Sequence, residues 1–145
     1  MAERVYAALD VAKYIIAYCK KNHKPVSNLK LQKILYFVQA QFLVEEGEPC
    51  FYNKIEAWEL GPVVPDVYHH YKAYGSNPIV LFKDGNFGIS FHDRQVINQI
   101  VDLCNRHTVS ELIDFTHRQT PWIQAQEQGY NTQITNDSIR KFFSD

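Results

Sequence analysis

The residues best suited to chemistry in this 145-residue chain are the adjacent His69 and His70 and the thiol of Cys50. Neighbouring positions on a helix point about 100° apart, so the two rings cannot share one metal in the usual way. A metal-binding histidine on a helix needs a partner three or four residues on, and for His69 those positions hold Lys72 and Ala73. The pair therefore reads as solvated or capping histidines. Zinc has no C-x-x-C and no H-x3-H to hold it. Cys50 could join any of the six histidines as a thiol–imidazole pair, yet no local signature marks one, and lone cysteines of this kind usually pack. A thiol-dependent hydrolase built on Cys50 and His69 is thus the third of three functional readings. The chain has no G-x-G-x-x-G, no G-K-[ST], no H-E-x-x-H and no G-x-S-x-G. The paired carboxylates of Glu45 and Glu46 sit at a helix end, where solvent takes them. No catalytic residue, cofactor or metal is expected.

An aromatic corner remains, in the stretch IEAWELGPVVPDVYHHYKAYGSNPI from Ile55 to Ile79. Trp58, Tyr68, Tyr71, Tyr74 and the distant Trp122 are large amphipathic side chains. Such residues anchor interfaces, because they bury much area at little entropic cost. Gly61-Pro62 and Pro65 restrict the backbone of Val63 and Val64, so the corner is shaped before anything binds. Core packing explains the same residues equally well at Tyr68 and Tyr71, and better at Trp58, which sits beside Ala57 and Leu60. The surface candidates are Trp58, Glu59, Val63, Val64, Tyr68, Tyr71 and Tyr74, set against a structural role for each.

Helices must carry this corner. Ala8, Val11, Ala12, Ile15 and Cys19 form one apolar stripe, predicting a helix over about 7–22. Ser27 is placed to cap a second helix over about 28–46. Leu31, Ile34, Leu35, Val38 and Phe42 share a face there, and Tyr36, Phe37 and Leu43 widen it, so this helix belongs at the centre. Residues 51–59 read as extended, with Phe51, Ile55 and Ala57 inward. Pro65 opens a helix that stops at Gly75. Ile79–Phe82 and Phe87–Phe91 flank KDGN and read as a hairpin. Ser90 with Asp93, and Thr108 with Glu111, resemble capping boxes opening helices over about 92–106 and from 108 to about Arg118. Thr120-Pro121 starts a further helical turn, and Asn136 to Phe143 a last short helix. The fold expected is mainly α, five to seven helices in a single domain over 1–145, with a small β element.

Length and composition fit that reading. Hydrophobic residues make up 46%, too many for a disordered chain. The net charge of −1 and the absence of any Lys/Arg run beyond two argue against a nucleic-acid partner. No apolar run could span a bilayer, and the acid-bearing N-terminus does not read as a secretory signal. Three unpatterned cysteines, Cys19, Cys50 and Cys104, are expected as reduced thiols in the cytoplasm.

The residues that carry the corner also resemble a family. Leu31-Gln32-Lys33 with Leu35-Tyr36-Phe37, Gly47 with Pro49, and Glu56-Ala57-Trp58 match the Panacea domain of SocA-like antitoxins, also described as phage-associated GepA-like proteins. Gly61-Pro62-Val63-Val64-Pro65, Val67-Tyr68 and Tyr74-Gly75 continue the match, and Thr116, His117, Pro121 and Trp122 resemble its C-terminal segment. The resemblance implies a mainly helical bacterial or phage protein that neutralises a toxin encoded beside it by direct complex formation. One branch instead delivers its toxin to a AAA+ protease, which would be a second partner. Homo-oligomers are compatible with either reading. No catalytic residue carries over. Members with an N-terminal DNA-binding domain exist; here the first core helix starts near residue 7, which puts operon autoregulation in doubt.

Overall fold

The computed structural model describes residues 5–81 and 83–144. Its centre is α2 (Asn28–Glu45), capped by the Ser27 hydroxyl accepting from the Lys30 amide. Leu31, Ile34, Leu35, Tyr36, Val38, Phe42 and Leu43 are all buried. A helix apolar around most of its girth must be covered on most sides. Here α1 (Ala8–Lys21), α3 (Pro65–Tyr71), α4 (Phe91–Cys104), α5 (Val109–His117) and α7 (Asn136–Phe143) all pack against it. The α1 stripe read from sequence holds, with Val11, Ile15 and Cys19 buried; on α4 the apolar side of Val96, Ile97, Ile100, Val101 and Cys104 buries Ile97, Val101 and Cys104 and leaves Val96 and Ile100 half-buried. Ser90 accepts from the Asp93 amide, and Thr108 with Glu111 forms the full reciprocal capping box. After α3 a 3-10 turn, Lys72–Tyr74, leads to Gly75 at φ +60°. The helix α6 is eight residues long, Thr120–Glu127, where the sequence suggested a single turn.

The β element is present, but not where KDGN placed it. Among the described residues of 79–91 no strand forms, and Phe82 lies outside them. The backbone groups a hairpin would need are used elsewhere. Ile79 N–H donates to the Val26 carbonyl at 2.9 Å, and Lys20 Nζ donates to the Leu81 carbonyl at 3.0 Å. Arg94 Nε donates to the Ile89 carbonyl at 3.1 Å. Ile79 and Ile89 pin this loop to the core by burial instead. The observed hairpin joins β1 (Ile55–Trp58) to β2 (Gly61–Val63), with Trp58 opposite Gly61 and Glu59-Leu60 as the two-residue turn. A third strand, β3 (Gln133–Ile134), pairs with the other edge of β1, giving the order β2-β1-β3. Pro62 is tolerated in β2 because β2 is an edge strand.

The three cysteines are buried and carry no disulfide. No helix among the described residues is long and apolar enough to cross a membrane.

Candidate functional site

The corner is built by a polar stripe on α2 that sequence reasoning passed over. Asn28, Gln32, Lys33 and Tyr36 lie at helical spacing along one side, and all are buried. Each holds a different part of the corner. Asn28 Nδ2 donates to the Tyr68 carbonyl at 3.0 Å, and Gln32 Nε2 donates to Asn28 Oδ1 at 2.9 Å. Gln32 Oε1 accepts from the Val64 amide at 2.9 Å, just where β2 passes into α3. Lys33 Nζ donates to the Pro62 carbonyl at 2.8 Å, so an amine completes the open edge of β2. Tyr36 Oη donates to Gln119 Oε1 at 2.7 Å and fixes the joint between α5 and α6. Further along, Gln39 Oε1 accepts from the amides of Cys50 and Phe51 and sets the entry to β1. The signal available was the presence of Gln and Lys on a helix otherwise apolar on that side. Buried polar groups are costly unless bonded, so they mark positions where a backbone must be held.

The C-terminal segment closes the corner from the other side. Trp122 Nε1 donates to the Trp58 carbonyl at 2.8 Å. His117 Nε2 bonds the Glu59 carbonyl at 2.8 Å. A carbonyl can only accept, so this nitrogen carries a proton. The His117 and Trp122 rings lie 4.2 Å apart. Gly61 sits where these elements meet, at φ +110°, and a methyl there would lie 2.9 Å from both Lys33 Cε and Thr116 Oγ1. Only glycine suits both the conformation and the space.

The outward face is aromatic. Trp58 and Tyr68 meet edge to face at 5.1 Å, and His69 stands 6.0 Å from Trp58. Trp58 Nε1 donates to Glu56 Oε1 at 2.8 Å. Trp58, Tyr68 and Tyr74 are half-buried, Glu59 and His69 are exposed, and Leu60 is 48% exposed at the tip of the turn. Tyr74 Oη donates to the Val80 carbonyl at 3.1 Å. Val63 and Val64 are buried beneath this face, and so is Tyr71, only 4% exposed. The Tyr71 hydroxyl has no hydrogen-bond partner among the described residues, and burial raises its pKa to about 12. The structure thus brings Trp58, Glu59 and Tyr68 together at the surface, adds Leu60 and His69, and sets Val63, Val64 and Tyr71 behind them.

Electrostatically the notable group is Lys33. Burial disfavours its charged form and pushes its pKa down from 10.5 to about 7. Its amine is therefore poised between charged and neutral at ordinary pH. The chemistry tested first in the sequence finds other placements. Cys50 is fully buried, whereas His69 and His70 are exposed on α3. Among the described residues no three His, Cys, Asp or Glu side chains gather as a metal site would require.

These features coincide with the comparisons. The family model for "Antitoxin SocA-like, Panacea domain" matches residues 31–123, which contain Gln32, Lys33 and Tyr36 of the α2 stripe, the hairpin, α3 and the His117–Trp122 clamp. A curated relative, "Antitoxin SocA" of Caulobacter vibrioides (strain NA1000 / CB15N), is 34% identical over 110 residues. The match covers 68% of this chain and 58% of that relative's length. No solved structure matches. The chain belongs to the SocA-like antitoxin family and carries its Panacea domain.

Proposed function

We propose that this protein is a cytoplasmic antitoxin, one Panacea domain over 1–145, that neutralises a cognate protein toxin by direct binding rather than by catalysis. The toxin is the product of a neighbouring gene, and its contact surface is the corner of Trp58, Glu59, Leu60, Tyr68 and His69, with Tyr74 at its margin. The observation that supports this is a half-exposed aromatic face whose backbone is tied from behind at Pro62, Val64 and Tyr68 and from the side at Trp58 and Glu59. A surface ordered in advance loses little entropy on binding. Aromatic residues at an interface centre contribute most of the affinity. Val63, Val64 and Tyr71 serve this surface by packing beneath it.

The test is affinity measured together with stability. Tyr68→Ala should weaken binding of the neighbouring gene's product by roughly thirtyfold, about 2 kcal/mol, with a melting temperature close to the parent's. Unchanged affinity in the folded Tyr68→Ala protein would remove the corner from the interface. Loss of the toxin from cells that depends on a AAA+ protease would favour delivery over sequestration.

A further inference from the structure

We propose that Lys33 is the positioning residue of the binding corner, its amine holding the Pro62 carbonyl so that the order of the hairpin follows the charge on that one buried group. The proposal rests on the reading of the corner as the partner surface only in its binding arm. The geometry carries the rest. Pro62 lies on the open edge of β2, where its carbonyl faces α2 and not another strand. Lys33 Nζ reaches that carbonyl at 2.8 Å from a side chain with no exposed surface. Its Cε lies against the position where Gly61 lacks a side chain, so the stem and the turn are packed together.

The groups that meet this amine around the Gly61 position lack charge. From α5 it is the Thr116 hydroxyl, itself donating to the Ile113 carbonyl at 2.9 Å. From β2 it is the backbone of Gly61 and Pro62. The ionisable groups elsewhere around the turn are His117, bonded to the Glu59 carbonyl, the exposed Glu59 carboxylate, Glu56, and His69 on α3. A buried amine bonded to a neutral carbonyl is costly to charge, which agrees with burial pushing its pKa down to about 7. When the corner opens, the amine reaches water and its ordinary basicity returns. Opening is then easier at low pH, because the opened state binds the extra proton. Between pH 6 and pH 8 the opening constant should fall about tenfold, and protection should rise accordingly.

Hydrogen exchange on the free protein tests this. The amides of Gly61, Val63 and Val64 should gain about tenfold in protection between pH 6 and pH 8, after correction for intrinsic exchange. Amides of Ile15 in α1 and Ile97 in α4 should not follow the same profile. Lys33→Met keeps the stem, removes the donor and the proton, and should give a lower, flat profile at the corner. His117→Gln should retain the wild-type slope. A flat wild-type profile, a slope that survives Lys33→Met, or a slope abolished by His117→Gln would each overturn the assignment. If Lys33→Met does not fold, the wild-type and His117→Gln profiles decide. In the binding arm, the neighbouring gene's product should bind Lys33→Met about tenfold more weakly at pH 7.5, chiefly through slower association. Altered exchange with unchanged affinity would uphold Lys33 as the residue that orders the hairpin and refute the corner as the toxin surface.

Discussion

Gly61→Ala should be among the most damaging single-methyl changes in this chain. The cost has two parts. At φ +110° an L-residue is strained, by about 1–3 kcal/mol. The added methyl would also stand 2.9 Å from Lys33 Cε and from Thr116 Oγ1. Lys33 is flexible in general, but here its amine is tethered to the Pro62 carbonyl, and Thr116 Oγ1 is tethered to the Ile113 carbonyl. Neither can retreat without losing its bond, so overpacking should add roughly 1–3 kcal/mol. The sum, about 2–6 kcal/mol, corresponds to a fall in melting temperature of about 6–20 °C for a domain of this size. Gly47 supplies the control. It also has positive φ, at +76°, but a methyl there meets nothing within 4 Å. Gly47→Ala should therefore show the backbone cost alone. Thermal melts of the parent and the two variants, followed by circular dichroism, measure the difference. Equal melting temperatures for Gly61→Ala and Gly47→Ala would refute the claim that α2, β2 and α5 close tightly on this turn.

Two further outcomes follow from buried polar groups. Tyr71→Phe removes a buried hydroxyl with no partner among the described residues, so it should leave the melting temperature unchanged or raise it, in contrast to Tyr71→Ala. Burial pushes the Cys104 thiol up to about 12, well above its ordinary value. The unfolded chain loses this proton first as pH rises, so Cys104 should contribute a loss of stability beginning above about pH 9 and continuing toward pH 12. At pH 8 it should stay inert to a disulfide reagent until denaturant is added; rapid labelling of the native protein would contradict its buried placement.

Much of the helical frame was legible because its signals are local. The apolar stripes of α1, α2 and α4 repeat at helical spacing, and Ser27, Ser90 and Thr108 announce their caps in the chain itself. The hairpin was misplaced because turn chemistry around KDGN is a local cue, whereas pairing depends on what competes for the backbone. In the fold, Arg94, Lys20 and Val26 take those groups. The strand pair at β1 and β2 was hidden by Gly61-Pro62, which reads as a break until Lys33 is seen satisfying the Pro62 carbonyl from another element. The strand β3 is two residues long and has no pattern of its own. At the site, the aromatic residues were legible by type. The split between those facing solvent, such as Tyr68, and those behind, such as Tyr71, was not, since both lie on one short helix and only tertiary packing separates them.

Neutralisation by binding alone can be measured in a purified system. The most direct measurement combines this purified protein with the purified product of the neighbouring gene, and follows that product's toxic activity in vitro with no protease, ATP or metal present. Neutralisation by binding predicts stoichiometric inhibition, with a stable complex recovered on gel filtration and the activity returning when Tyr68→Ala is substituted for the parent at the same concentration. Full toxic activity in the presence of excess folded parent protein, with inhibition only when a AAA+ protease and ATP are supplied, would contradict it.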